Sequence, residues 1–374
     1  MNLVIYTGGM KLEKRIKRIF DKLEKKLDAI IIKNSAEPYI DNNFFYVTGL
    51  DKGIFEGSMA ILHPDGDIEL LVSELEAETA KKADAKIHIY ENKEDFDKLF
   101  KKHFSSLRKI GINSDGLSHK DFCKLTDRFP KAKFVDVSDA LSKTRLVKDE
   151  SEIEIVKKSC AIADKVMNAI PSILHEGMYE YEMAAEINYL MQKNGADHPA
   201  FETISSFGKN TAEPHYTHGD TKLNKEDFVL FDFGARFRRY NSDITRTFVF
   251  GKAAEKQKEM HEVVLAAQEV GFETIKPGIK ANEVHNAVNS FIDGGKFKGR
   301  FIHSTGHSLG LNIHDGGAGL SSDCDVELKD DMIFTVEPGV YIPGFGGVRI
   351  EDDILIKKDG IELLTKSSRD FVEI

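Results

Sequence analysis

Along the first third of the chain the hydrophobic pattern keeps changing period. In residues 11–26, Leu12, Ile16, Ile19, Phe20 and Leu23 fall at helical spacing with Lys, Arg and Glu between them, which predicts an amphipathic helix. DAIIIK (28–33) then reads as a buried strand, and FFYVTGL (44–50), GSMAILHPDG (57–66) and DIELLVSE (67–74) read as further strands. Pro64-Asp65-Gly66 supplies the turn between the last two. KIHIY (86–90) and KIGINS (109–114) add two more strands. Strands alternating with helices predict an α/β domain over residues 1–142.

A second domain is expected over 146–374. Its opening helix carries Ile153, Val156, Cys160, Ala163, Val166 and Met167 as an apolar stripe, with Ser151 and Glu154 as the expected capping box. From there the pattern runs twice. One copy has a helix at 151–170, a Gly177-Met178 turn, a helix at 179–193, then strands at 228–234 and 243–250. The other has a helix at 254–274, a Gly278-Ile279 turn, a helix at 281–293, then strands at 332–338 and 348–356. The repeat predicts two related halves about a pseudo-twofold axis, in a mixed α/β (α+β) fold.

Each half places acids where the hydrophobic pattern asks for apolar side chains. Asp232 sits between Phe231 and Phe233 in a strand apolar on both faces, and Asp243 lies on the returning strand. Directly opposite each other, the two would have Cα atoms ~4.5–5.5 Å apart and carboxylates on one face. Glu337 and Glu351 repeat the arrangement in the second hairpin. Burying an unpaired carboxylate costs several kcal/mol, so something positive must face these groups. Arginines 236, 238, 246 and 349 are one source of that charge; divalent cations between the acids are the other. Hard oxygen ligands with one imidazole point to Mn²⁺, Co²⁺ or Zn²⁺.

HSTGHSLGLNIHD places His303, His307 and His314 together, with glycines flanking His307. His215 stands in the polar loop TAEPHYTHG (211–219) beside Pro214, and His218 nearby is read as ordinary surface.

Composition narrows the function. The 374 residues are 41% hydrophobic and 30% charged, and a net charge of −10 argues against general nucleic-acid binding. Three widely spaced cysteines suggest a reducing compartment. The N-terminus lacks the apolar core of a signal peptide, and no apolar run has the length of a membrane span, so a cytoplasmic protein is expected.

These motifs carry a resemblance. DFG with Asp232, SDITRT with Asp243, GHSLGL with His307, TVEPG with Glu337 and RIEDD with Glu351 resemble the five-ligand set of the metallopeptidases that include methionine aminopeptidase, aminopeptidase P and prolidase. FFYVTGL and RLVKDESEIEIVKKS (145–159) resemble the N-terminal domain and linking helix of the proline-specific members and creatinase. The resemblance implies a creatinase-like N-terminal domain followed by a pita-bread catalytic domain. It implies two divalent ions per subunit, Mn²⁺ or Co²⁺ with Zn²⁺ as an alternative, bound by Asp232, Asp243, His307, Glu337 and Glu351. A hydroxide bridging the ions would attack the peptide bond, with Glu337 handling the proton and His215 and His314 contacting substrate and tetrahedral intermediate. His303 and Arg349 match positions that line the site.

The implied activity is hydrolysis before proline, on a peptide with proline at its second position, by a homodimeric Xaa-Pro dipeptidase (prolidase). The alternatives are an aminopeptidase P acting on longer peptides and, in another class, a non-catalytic peptide- or histone-binding relative. Creatinase itself lacks this ligand set, and methionine aminopeptidase lacks the N-terminal domain. One departure stands out: several prolidases carry an arginine soon after the equivalent of His314, and here none lies between His314 and Arg349. Arg349, Lys329 or a residue of a second subunit is left to fill that role.

Overall fold

The computed structural model describes residues 12–374, so most of the N-terminal stretch considered above for a signal peptide lies outside the described residues. Two compact units divide at residue 145.

The N-terminal unit contains α1 (Leu12–Asp21), β1 (Ala29–Lys33), α2 (Asn42–Thr48), β2 (Met59–Leu62), β3 (Ile68–Ser73), α3 (Ala77–Ala80), β4 (Lys86–Tyr90), α4 (Lys93–Phe104), β5 (Lys109–Ile112), α5 (His119–Arg128) and β6 (Lys133–Asp136), ending in α6 (Ser138–Leu146). Its mixed sheet has the order β4-β3-β2-β1-β5-β6. Alternate residues on one face, Ile31, Met59, Ile61, Leu71 and Ile110, pack with Phe96, Phe100 and Phe104 of α4 and Leu125 of α5. Ile30, Ile32, Leu62, Leu70 and Val72 on the other face are buried as well, which is why these strands read as unbroken apolar runs.

The segment expected as a strand at 44–50 is instead α2. Asp41 caps it by accepting from the Asn43 amide, and Gly49 ends it in the left-handed region at φ 68°. Every residue from Asn43 to Thr48 is buried, so the helix shows no polar face and its period is invisible in the sequence.

The C-terminal unit begins with α7 (Glu150–Ala169) and α8 (Glu180–Lys193). The capping box of α7 is built by Asp149 and Glu152, two residues before the expected Ser151 and Glu154. The expected apolar stripe is buried. There follow β7 (His198–Pro199), β8 (Ile204–Phe207), β9 (Phe228–Phe233), β10 (Ala235–Phe237), β11 (Tyr240–Asn241) and β12 (Ile244–Val249). The second half has α9 (Glu255–Thr274), α10 (Ala281–Asp293), β13 (Gly306–His307), β14 (Gly319–Leu320), β15 (Ile333–Val336), β16 (Gly339–Ile342), β17 (Gly346–Arg349), β18 (Asp352–Lys357) and β19 (Gly360–Leu363). Two helices followed by an antiparallel sheet thus occur twice, as β12-β9-β8 and β15-β18-β19. The sheets meet where Thr245 bridges Glu351.

The first hairpin differs from expectation in register. Asp232 pairs with Thr245, not with Asp243. The turn is made by Arg238 and Arg239, both at positive φ, so β10 and β11 pair Arg236 with Asn241 and Asp243 falls opposite Gly234. Asp243 and Thr245 are two residues apart, so Asp243 and Asp232 still share a face, on a diagonal. Gly234 is required there, since a Cβ would stand 1.7 Å from the Ser242 carbonyl oxygen. No helix among the described residues is long and apolar enough to cross a membrane.

Candidate metal centre

All six residues of β9 are buried. Val229, Phe231 and Phe233 enter the core beneath α7 and α8, so the alternating Asp232 projects from the opposite face. Asp243 is fixed by its own amide, which donates to Asp353 Oδ2 at 2.8 Å. The Glu351 amide donates to Thr245 O at 3.1 Å, and the Thr245 hydroxyl donates to Glu351 Oε2 at 2.5 Å. Glu337, just past the end of β15, is anchored by its amide on Thr305 O at 2.8 Å. The His307 amide donates to Thr335 Oγ1 at 3.0 Å, an approach that needs Gly306, where a Cβ would lie 2.0 Å from Thr335 O.

A cavity of about 610 Å³ is lined by His215, Asp232, Asp243, His303, His307, His314, Glu337, Arg349 and Glu351. All nine residues singled out in the sequence therefore share one wall system. Lys329, considered above as a substitute for the missing arginine, is exposed and is not among the lining residues.

Within the cavity, one ligand atom from each of Asp243, His307 and Glu351 lies within 4.8 Å of the others. His307 Nε2 stands 3.6 Å from both Asp243 Oδ2 and Glu337 Oε1, too far for a hydrogen bond. Burial, then His314, brings the His307 pKa down to about 3, so the imidazole is neutral and does not offset the acids. Among the described residues, Asp232 alone of the four carboxylates has a cationic partner: Arg349 reaches its Oδ2 at 2.5 Å. Arg246, another expected partner, binds Asp352 instead.

The consequence is a set of acids that burial and mutual repulsion drive toward the protonated form. Burial, then Glu351, Asp232, Asp353 and Glu337, push Asp243 well above the carboxylate range. Burial, then Glu337 and Asp232, do the same to Glu351. Glu337 is pushed by burial up to about 7, against Arg349 and with Asp232. Buried Oδ1 atoms of Asp232 and Asp243 have no hydrogen-bond partner among the described residues. Oxygen-rich, desolvated and short of positive charge, with a neutral imidazole aimed at them, these residues fit divalent cations.

The other residues differ in their freedom. Arg349 donates Nε–H to Thr245 Oγ1 at 3.1 Å, one amino group to Tyr341 Oη at 2.9 Å and the other to Asp232. The Tyr341 hydroxyl, accepting from Arg349, donates to His303 Nε2 at 2.9 Å, and His303 Nδ1–H donates to Ser304 O at 2.7 Å. The chain has one direction because arginine can only donate. Both nitrogens of His303 are thus spent inside the protein, and burial, then Arg349, lower its pKa to about 3. His215 and His314 are exposed on the rim, and the His314 ring lies 4.1 Å from that of His307.

Tyr341, Thr245, Thr335 and Asp353 hold the centre together and are not expected from the sequence. Tyr341 alone had a local signal. Gly339 and Gly347 leave room for its side chain, and a Cβ on either would lie 2.6 Å from its ring.

Comparison with known proteins places the chain closely. The model of metallopeptidase family M24 matches residues 154–358, and that of the creatinase/prolidase N-terminal domain matches 15–147. An Xaa-Pro dipeptidase of Pyrococcus horikoshii is 37% identical over 364 residues, covering 96% of this chain and 99% of the relative. The crystal structure of the prolidase from Pyrococcus horikoshii superposes with a TM-score of 0.87 at 36% identity, over 96% of this chain and 99% of that one. That of the X-Pro aminopeptidase from Thermotoga maritima gives 0.88 at 30% identity, over 93% and 98%.

Proposed function

This chain belongs to metallopeptidase family M24, with a creatinase/prolidase-type N-terminal domain, and on that premise we propose that it is an Xaa-Pro dipeptidase working with two divalent metal ions per subunit. The observation that carries the reading is the trio Asp243, Glu337 and Glu351, desolvated around a neutral His307 with no cationic partner of their own among the described residues.

Asp232, Asp243, His307, Glu337 and Glu351 would hold the ions, with Mn²⁺ or Co²⁺ favoured by the carboxylate-rich set and Zn²⁺ as the alternative. Bound there, the metals supply the Lewis acidity that polarises a scissile carbonyl and acidifies water. The chain's own residues do the rest. Glu337, beside the reacting position, takes a proton at its carboxylate and returns it to the leaving prolyl nitrogen. His314, neutral and on the rim, offers a ring N–H to the developing oxyanion. His215, which lines the same cavity, steadies the peptide. Arg349 and His303 act through the wall they build with Tyr341, which sets the cavity's shape.

A second reading has specific support. No arginine lies between His314 and Arg349, and Arg349 has its donors committed inside the protein, so a grip on a dipeptide's C-terminal carboxylate is not built in. That favours an aminopeptidase P accepting longer chains. The intact ligand set weighs against a binding-only protein. Hydrolysis of Xaa-Pro dipeptides and Xaa-Pro-Yaa tripeptides, compared with Mn²⁺ present, decides between the readings. Turnover confined to dipeptides supports the first, faster tripeptide cleavage the second, and neither with any metal overturns both.

A cytoplasmic homodimer completes the proposal. Three free cysteines support the reducing compartment. A solution mass by light scattering checks the dimer, and a monomeric mass removes it.

A further inference from the structure

Four residues with metal-binding side chains meet at one end of the sheet of the N-terminal unit: His63 in the turn after β2, Glu69 on β3, His88 on β4 and His103 in the last turn of α4. The parallel register pairs Glu69 with Lys86 and Leu71 with His88, so Glu69 and His88 share a face. It is the face that packs on α4, and the His88 ring meets Phe104 edge-on at 5.7 Å. Glu69 Oε1 lies 3.2 Å from His63 Nε2, and Oε2 lies 2.7 Å from His88 Nε2. The His103 ring lies 4.3 Å from that of His88. One donor atom from each of Glu69, His88 and His103 falls within 4.8 Å of the others.

We propose that this cluster is a second metal site, taking one borderline divalent ion of the zinc class and clipping the end of α4 to the edge strand β4. Glu69, His88 and His103 supply a carboxylate and two imidazoles, a donor set such ions favour, and His63, 3.2 Å from Glu69, stands beside them as a further imidazole. Two of the donors stand on adjacent strands, which gives the site a rigid base. His103 makes no hydrogen bond among the described residues, so its ring is free to turn. Lys86 Nζ, 2.8 Å from Glu69, is the competing cation. Its side chain is 62% exposed, so it swings into water at little cost when a divalent ion arrives. The site shares no residue with the carboxylate centre and does not rest on its function.

Zinc counting on the full-length protein tests this. Asp243→Asn with Glu351→Gln silences the carboxylate centre; the protein is loaded with Zn²⁺, dialysed, and its zinc counted by plasma mass spectrometry. About one tightly held zinc per chain is expected, with a raised Tm. Adding His103→Ala or Glu69→Gln should remove both. The same subtraction in the wild-type background should remove one zinc and leave peptide hydrolysis unchanged. His103 is only half-buried, and far-UV circular dichroism verifies that the variant folds. An unchanged zinc count after His103→Ala, or no zinc in the silenced protein, overturns the proposal and leaves a carboxylate paired with Lys86.

Discussion

Glu351 and Asp352 are neighbours in sequence, both buried, and their surroundings are opposite. Asp352 receives Arg246 at 2.7 Å, the Thr365 hydroxyl at 2.7 Å and the Gln268 amide at 3.0 Å. Glu351 receives one hydroxyl, from Thr245, and the repulsion of Glu337 and Asp232 outweighs the pull of Arg349, which is already committed to Asp232. The first region is a closed ion pair of the kind that fixes a fold, tying β12 to β18. The second is an unbalanced cluster that the same two strands hold in place. Burial alone therefore does not distinguish structure from site; what distinguishes them is whether the protein supplies the countercharge.

Removing one charge from each region should separate the two most sharply. Asp243→Asn, or Glu337→Gln, is expected to lower kcat/KM for an Xaa-Pro substrate at least ~10³-fold, roughly 4 kcal/mol of transition-state stabilisation. In metal-free buffer its thermal stability should stay the same or rise, since a like charge is lost. Wild-type activity in either variant, or a lower metal-free Tm, would erase the distinction. The closed region should behave the other way. Arg246→Met strands Asp352 and is expected to cost about 3–5 kcal/mol in urea unfolding, because a buried charge is left uncompensated. Arg246→Met with Asp352→Leu should regain part of that loss; an equal or greater loss in the double variant would mean that the ion pair is not what stabilises the region.

The same contrast sets what was legible in the sequence. An acid inside an apolar strand is a local anomaly, so Asp232, Asp243, Glu337 and Glu351 stand out from the residue pattern by itself. Their countercharge is not local. That Arg349 would take Asp232 and Arg246 would take Asp352 depends on pairings across more than a hundred residues. The helix at 42–48 escaped because a fully buried helix has no polar face to give its period. The hairpin register escaped because two arginines, not glycine or asparagine, occupy the positive-φ turn. The helical halves were legible because each helix keeps one wet face.

pH sharpens the comparison further. Burial holds the Glu337 carboxyl at about 7 against an ordinary 4.5. The folded metal-free protein therefore binds this proton more tightly than the unfolded chain. Its contribution to stability should fall as pH rises from 4.5 to about 7, by up to about 3 kcal/mol, and Asp243 and Glu351, raised well above their ordinary range, carry the fall in the same direction. Metal should reverse the slope, since binding needs the carboxylates ionised. Melting curves of EDTA-treated and Mn²⁺-loaded protein between pH 5 and 8 check both signs. Glu337→Gln should make the metal-free curve shallower, and an unchanged slope would assign it to Asp243 and Glu351.

The smallest expected effect concerns single hydroxyls on either side of the divide. Tyr341→Phe deprives Arg349 of an acceptor and His303 of a donor, at ~1–2 kcal/mol for groups left short inside the protein. Because that chain positions the guanidinium on Asp232, the loss should appear in catalysis as well as in stability, as roughly a tenfold drop in kcat/KM. Thr365→Val removes a hydroxyl from Asp352 and should cost about 1 kcal/mol of stability with kcat/KM unchanged, so the two variants part on activity. Equal effects of both variants on activity would mean that the two regions are one coupled network, with the Arg246 pair serving the metal centre as much as the fold.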